Sequence, residues 1–106
     1  MSVLTITKSN FEKEGISSEI PVVLDFWATW CGPCKMLSPV LDELSAAYSD
    51  RVRFCKVNVD DEPELAARFG IASIPTLIFF KNGEIIKKTV GYREKDELEG
   101  MLKELL

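Results

Sequence analysis

The chain contains no histidine. That excludes Cys-His hydrolase chemistry and removes the commonest zinc ligand. Cysteine is also scarce: three residues, too few and too unevenly spaced for a disulfide framework. Basic residues do not dominate. Lys and Arg total 13 against 17 Asp and Glu, a net charge of −4, so the clustered positive surface that nucleic acid requires is not expected. No stretch at the N-terminus has the basic-then-apolar layout of a secretory signal. The apolar runs are far shorter than the ~20 residues of a membrane helix. These absences point to a soluble protein of a reducing compartment, the cytoplasm, with neither membrane nor nucleic acid as partner.

What is present fits one globular domain over residues 1–106, with 46% hydrophobic and 28% charged residues. A chain of this size buries roughly 60–70% of the surface it exposes when unfolded, enough for a core without metal or disulfide staples.

Val3 to Ile6 reads as a short strand, and Ser9 followed by Glu12 resembles a capping box opening a short helix toward Gly15. Ile20 to Trp27 is almost continuously apolar, as a strand covered on both faces would be. Pro21 marks its first residue, because proline cannot donate to a ladder. Asp25 is the anomaly in that run, since a buried charge is costly. A helix begins near Cys31 and carries an apolar face of Leu37, Val40, Leu41, Leu44, Ala47 and Tyr48. Pro39 kinks it without ending it.

Val52 to Val59 is the next strand. Asp60, Asp61 and Pro63 signal a helix start and Gly70 its stop. Thr76–Phe80 and Glu84–Val90 flank Asn82-Gly83, the strongest short hairpin signal. Leu98, Met101, Leu102 and Leu105 give a C-terminal amphipathic helix. The order is β-α-β-α-β-α-β-β-α, an α/β fold whose mixed sheet has helices on both faces.

The chemistry concentrates in Trp30-Cys31-Gly32-Pro33-Cys34-Lys35. A C-x-x-C pair alone is also half a zinc site, but zinc needs four ligands and only Cys55 remains. A strand before the pair and a helix after it favour a reversible dithiol/disulfide. Cys31 falls at the helix N-terminus, where unpaired N–H groups and the macrodipole favour its thiolate. It would attack a target disulfide, and Cys34, less accessible in the first turn, would resolve the mixed disulfide. Asp25 would accept the Cys34 proton, directly or through a water, with Lys56 on the facing strand as its partner. The alternatives are a structural carboxylate capping a turn for Asp25 and a surface lysine on an edge for Lys56. Cys55, in a buried strand, reads as a small hydrophobe, with a regulatory thiol as the alternative.

The segment Asp25-Phe26-Trp27-Ala28-x-Trp30-Cys31-Gly32-Pro33-Cys34-Lys35 resembles the active-site segment of the thioredoxin family, and Ile74-Pro75-Thr76, Lys81-Asn82-Gly83 and Gly91 fall where that family's other motifs lie. The resemblance spans essentially the whole chain. It implies the thioredoxin fold, with a central mixed five-stranded sheet flanked by four helices. It implies a general protein-disulfide reductase, an electron carrier recharged by a thioredoxin reductase, monomeric and acting on disulfide-containing proteins. No bound cofactor or metal is implied; the redox group is the Cys31–Cys34 disulfide, tuned by Gly32 and Pro33. Pro75 would be a cis proline beside the cysteines, and the Ile74 backbone would pair with an extended target. Trp30, Gly32, Pro33, Ile74 and Gly91 would form an apolar docking surface around an exposed Cys31, with Trp27 in the core or site wall.

Two positions depart from the family pattern. Tyr92 follows the glycine where a small residue is common, and Ser73 stands where many members have glycine. Oxidising relatives usually carry histidine between the cysteines, so an oxidase is the weaker enzymatic reading. A binding module that uses the docking face without turnover is the reading from another class.

Overall fold

The computed structural model describes residues 3–16 and 19–106, apart from the side chains of residues 15 and 16. Five strands form one mixed sheet: β1 (Leu4–Thr5), β2 (Val22–Trp27), β3 (Arg53–Asn58), β4 (Thr76–Lys81) and β5 (Glu84–Val90), in spatial order β1-β3-β2-β4-β5. β3 runs parallel to β1 and β2, while β4 is antiparallel to both β2 and β5. The helices are a π-helical segment (Phe11–Ile16), α1 (Gly32–Ala47), α2 (Pro63–Arg68) and α3 (Lys95–Leu105).

The apolar run of β2 is explained by its place in the middle of the sheet. Alternate side chains serve opposite faces. Val23 packs with Leu37, Leu41 and Leu44 of α1 and with Leu98, Leu102 and Leu105 of α3. Val22, Leu24 and Phe26 pack on the other face with Phe11, Leu65 and Phe80. The ring of Phe69 completes that second core, edge-on to Phe11 and Phe80. Asp25 therefore belongs by its alternation to the α1 face.

The hairpin signal is realised. Asn82 and Gly83 both adopt positive φ, 55° and 79°, as a two-residue turn with the sheet's twist requires. Gly70 ends α2 at φ 63°. Pro39 lies inside α1 and does not end it.

Two local expectations need correction. Ser9 does not cap the first helix: its hydroxyl pairs with Thr7 Oγ1 at 2.9 Å, while Asn10 Oδ1 accepts the Thr7 N–H at 2.7 Å. The segment then winds as a short π-helix starting at Phe11. Pro21 precedes β2 rather than opening it, although its carbonyl still accepts the Arg53 N–H at 2.8 Å.

Candidate functional site

The site forms where β2 ends and α1 begins. Cys31 is the N-cap of α1, with extended backbone (φ −91°, ψ 112°), and Pro33 occupies the first turn, where its missing N–H costs nothing. The Cys31 Sγ accepts the Cys34 N–H at 3.2 Å, so the sulfur already occupies the position of a capping anion. Cys31 and Cys34 are joined as a disulfide, with Cα atoms 5.2 Å apart. In the dithiol state the same N–H and the aligned dipoles of α1 stabilise a negative Cys31 sulfur.

Cys31 is not exposed. It is 5% accessible against 3% for Cys34, so burial hardly distinguishes the two thiols. Both pack with Ala28 and against Trp27, Val59 and Ile74. What distinguishes them is the side each faces. Cys31 Sγ lies 3.8 Å from the Ile74 carbonyl oxygen, on the loop whose Ile74–Pro75 peptide is cis. Cys34 faces inward and lines a cavity of about 130 Å³ together with Asp25, Trp27, Lys35, Ser38 and Lys56.

Asp25 is 6% exposed, and its Oδ1 is buried without a hydrogen-bond partner. Burial pushes its pKa up from the ordinary 3.8 to about 7, the Lys56 ammonium pulling the other way. Lys56 is not on an edge: β3 lies between β1 and β2, and the register sets Lys56 beside Asp25. Its Nζ sits 5.4 Å from the centre of the Trp27 ring. Trp27 is thus a site-wall residue, and its Nε1 is also buried without a partner.

Trp30 is 68% exposed, and its indole N–H donates to Asp60 Oδ2 at 2.8 Å. An apolar groove of about 150 Å³ runs from Trp30 to Ile74, floored by Val59, Ala66, Ile71 and Ala72. Gly32 and Pro33 are exposed at the start of α1. Gly91, at φ 93°, donates its N–H to the Pro75 carbonyl at 2.8 Å, which fixes the following residue, the 38%-exposed Tyr92, next to the Pro75 loop. Ser73 is exposed, and its carbonyl accepts the Thr76 hydroxyl at 2.6 Å.

The expected residues therefore assemble into two regions, Asp25, Cys34 and Lys56 around the cavity and Trp30 and Ile74 along the groove, with buried Cys31 against the Ile74 carbonyl and Gly91 bonded to Pro75. Sequence reasoning missed Asp60, Ser38 and the groove floor. Asp60 reads only as a helix-start signal, and Ala66 as part of a helix face; their approach to Trp30 depends on chain folding that no local pattern encodes.

The thioredoxin family model matches residues 2–104. The chain belongs to the thioredoxin family. It is 48% identical over 105 residues to the thioredoxin of Alicyclobacillus acidocaldarius, covering 99% of each chain. It is 49% identical to that of Staphylococcus haemolyticus over 96% of each, and 47% identical to that of Haemophilus influenzae over 94% of each. Like other thioredoxins it is a thiol-disulfide oxidoreductase, with Cys31–Cys34 as the redox-active disulfide. Among the described residues no cluster of three metal-ligating side chains occurs, and no helix is long and apolar enough to cross a membrane.

Cys55 lies elsewhere. It sits with Val57 on the α2 face of β3, opposite to the face of Phe54 and Lys56. It is 1% exposed, and burial pushes its thiol up to about 12. Iodoacetamide added to the reduced, folded protein at pH 7–8 should leave Cys55 unmodified, while denaturant should make it react; peptide mapping by mass spectrometry reads the difference. Modification of Cys55 in the native state at a rate comparable to Cys31 would contradict its burial.

Proposed function

We propose that the chain is a general reductase of protein disulfides, working as a cytoplasmic monomer that a thioredoxin reductase returns to the dithiol state. The observation that carries this reading is the inner cavity, which joins the unpartnered Asp25 carboxyl to the resolving sulfur of Cys34.

The cycle begins with Cys31 as thiolate. It attacks one sulfur of a target disulfide; a bond to Cys31 forms, the target S–S bond breaks, and the departing target thiolate takes a proton. Cys34 then gives its proton to Asp25, directly or through water in the cavity. A carboxyl whose pKa lies at about 7 is matched to this task near neutral pH. The Cys34 thiolate attacks Cys31 Sγ, the Cys31–target bond breaks, and the second target sulfur leaves and is protonated. The target gains two electrons and two protons, and the protein is left with the disulfide.

Lys56 limits how far burial raises Asp25. Gly32 and Pro33 keep the loop short, so the two sulfurs stay within bonding reach. An extended target strand would pair with the Ile74 backbone beside Cys31, its apolar side chains covering Trp30 and the groove that ends at Ile74, with Pro75 and Gly91 fixing that loop.

Reduction of insulin disulfides by the chain, with NADPH and a thioredoxin reductase, tests the proposal. Sustained NADPH oxidation with precipitation of the insulin B chain is expected. A folded protein that binds disulfide targets without turnover would instead be a binding module.

A further inference from the structure

One wall of the inner cavity has no part in the scheme above. Ser38 follows Cys34 by four residues on α1 and so lies on the same side of the helix. It lines two adjoining spaces. One is the cavity of about 130 Å³ shared with Asp25, Cys34 and Lys56. The other, about 20 Å³, is bounded by Val3, Asp25, Leu41, Asp42 and Lys56. Asp25 and Lys56 border both spaces as well, but among the described residues Ser38 brings the only hydroxyl to either. Ser38 is exposed, whereas Asp25 is buried, so the spaces they share reach from the carboxyl to a residue in contact with solvent.

The chemistry of the lining makes this position useful. The charged groups facing Asp25 are Lys56 from β3 and Lys35 and Asp42 from α1. Ammonium groups only donate, carboxylates only accept, and the Trp27 indole only donates. A hydroxyl does both at once, as passing a proton along a hydrogen-bonded chain requires. The larger cavity has room for several waters at ~30 Å³ each and offers them several polar partners. The backbone gains nothing from serine here: it is a poorer helix former than alanine in a helix interior. Among the described residues its hydroxyl also has no partner in the protein.

We propose that Ser38 is a positioning residue for disulfide exchange, its hydroxyl ordering the water through which Asp25 exchanges its proton with solvent. The proposal depends on Asp25 being the proton acceptor. In the resolving step the Cys34 S–H bond breaks and its proton goes to the Asp25 carboxylate. The electron pair left on sulfur forms the bond to Cys31 as the Cys31–target bond breaks, and the departing target sulfur takes a proton from water. Asp25 can accept that proton only as a carboxylate, so any proton it already holds must first leave past Ser38 before resolution can proceed, and the one taken from Cys34 leaves by the same route. One proton enters Asp25 and one leaves.

The test follows the two chemical steps separately by rapid mixing of reduced protein with a disulfide-linked peptide, across pH 6–9. Formation of the mixed disulfide is measured in a Cys34→Ser background. Ser38→Ala should leave that step unchanged and slow resolution about 3- to 10-fold near neutral pH, a small share of the 10²–10⁴ of a direct general base. Ser38→Thr, which keeps the hydroxyl, should resolve within about twofold of the parent. Asp25→Ala is run alongside. If it slows resolution while Ser38→Ala matches the parent at every pH, the role of Ser38 is overturned and that of Asp25 stands. If neither variant slows resolution, both fall. Ser38→Thr as slow as Ser38→Ala, or a first step slowed equally by Ser38→Ala, would assign the effect to packing and overturn the proposal.

Discussion

Cys34→Ser is expected to turn the protein into a covalent trap. Cys31 can still attack, because its N-cap position and the N–H of residue 34 do not depend on the second sulfur. Resolution cannot follow, because a serine hydroxyl does not displace a disulfide sulfur under these conditions. Turnover of insulin should fall by roughly 100-fold or more, and the mixed disulfide should persist until an external thiol is added. Mass spectrometry of the trapped species should find the adduct on Cys31 alone. Cys55 cannot substitute: it lies on the opposite face of the sheet, is 1% exposed, and has its thiol pushed up to about 12. An adduct through Cys55, or undiminished turnover, would refute the assignment of roles.

Asp25→Asn should have two opposite effects. Exchange should slow near neutral pH, by about 10- to 100-fold in the resolving step, because the proton acceptor is gone. Stability of the oxidised protein should rise. The sign follows from linkage. The Asp25 pKa is raised in the folded state, from 3.8 to about 7, so the native state holds this proton more tightly than the unfolded chain does. The stability that this provides is fully present below pH 3.8 and is lost as pH rises through about 7. The asparagine variant does not lose it. Its advantage should therefore grow between pH 4 and 7 and level off above, at up to about 4 kcal/mol. Denaturant unfolding of both proteins at pH 4, 6 and 8 measures it. Equal stability differences at all three pH values would mean that Asp25 ionises in the fold as readily as in the unfolded chain, and unchanged kinetics across pH 6–9 would return it to a purely structural role.

The two effects share one cause. A carboxyl placed in a nearly apolar strand is costly when charged, and the role proposed for it, accepting the Cys34 proton, draws on that cost. Lys56 moderates the cost without cancelling it, since desolvation is the larger influence on Asp25.

The amino-acid sequence by itself determined what local periodicity and residue chemistry encode. The unbroken apolar run of β2 marked a strand covered on both faces, and Asp25 stood out within it because no alternation would have exposed it. The positive-φ demand of a two-residue turn is written into Asn82-Gly83. Cys31 and Cys34, three positions apart with a proline between them at a helix start, specified the disulfide. The first helix was less legible: Ser9 with Glu12 reads as a capping box, but the Ser9 hydroxyl pairs with Thr7 Oγ1 and Asn10 Oδ1 accepts the Thr7 N–H.

The tertiary structure alone decided which distant residues meet. The strand order carried β3 to the interior and set Lys56 beside Asp25, where sequence allowed an edge lysine equally well. It brought the Ile74 carbonyl within 3.8 Å of Cys31, set Asp60 to hold the Trp30 indole, and opened the cavity that Ser38 shares with Asp25 and Cys34. The first three of these pairings join segments 30 or more residues apart. They follow from how whole strands and helices pack their apolar faces, and the residues on either side of each contact carry no local mark of it.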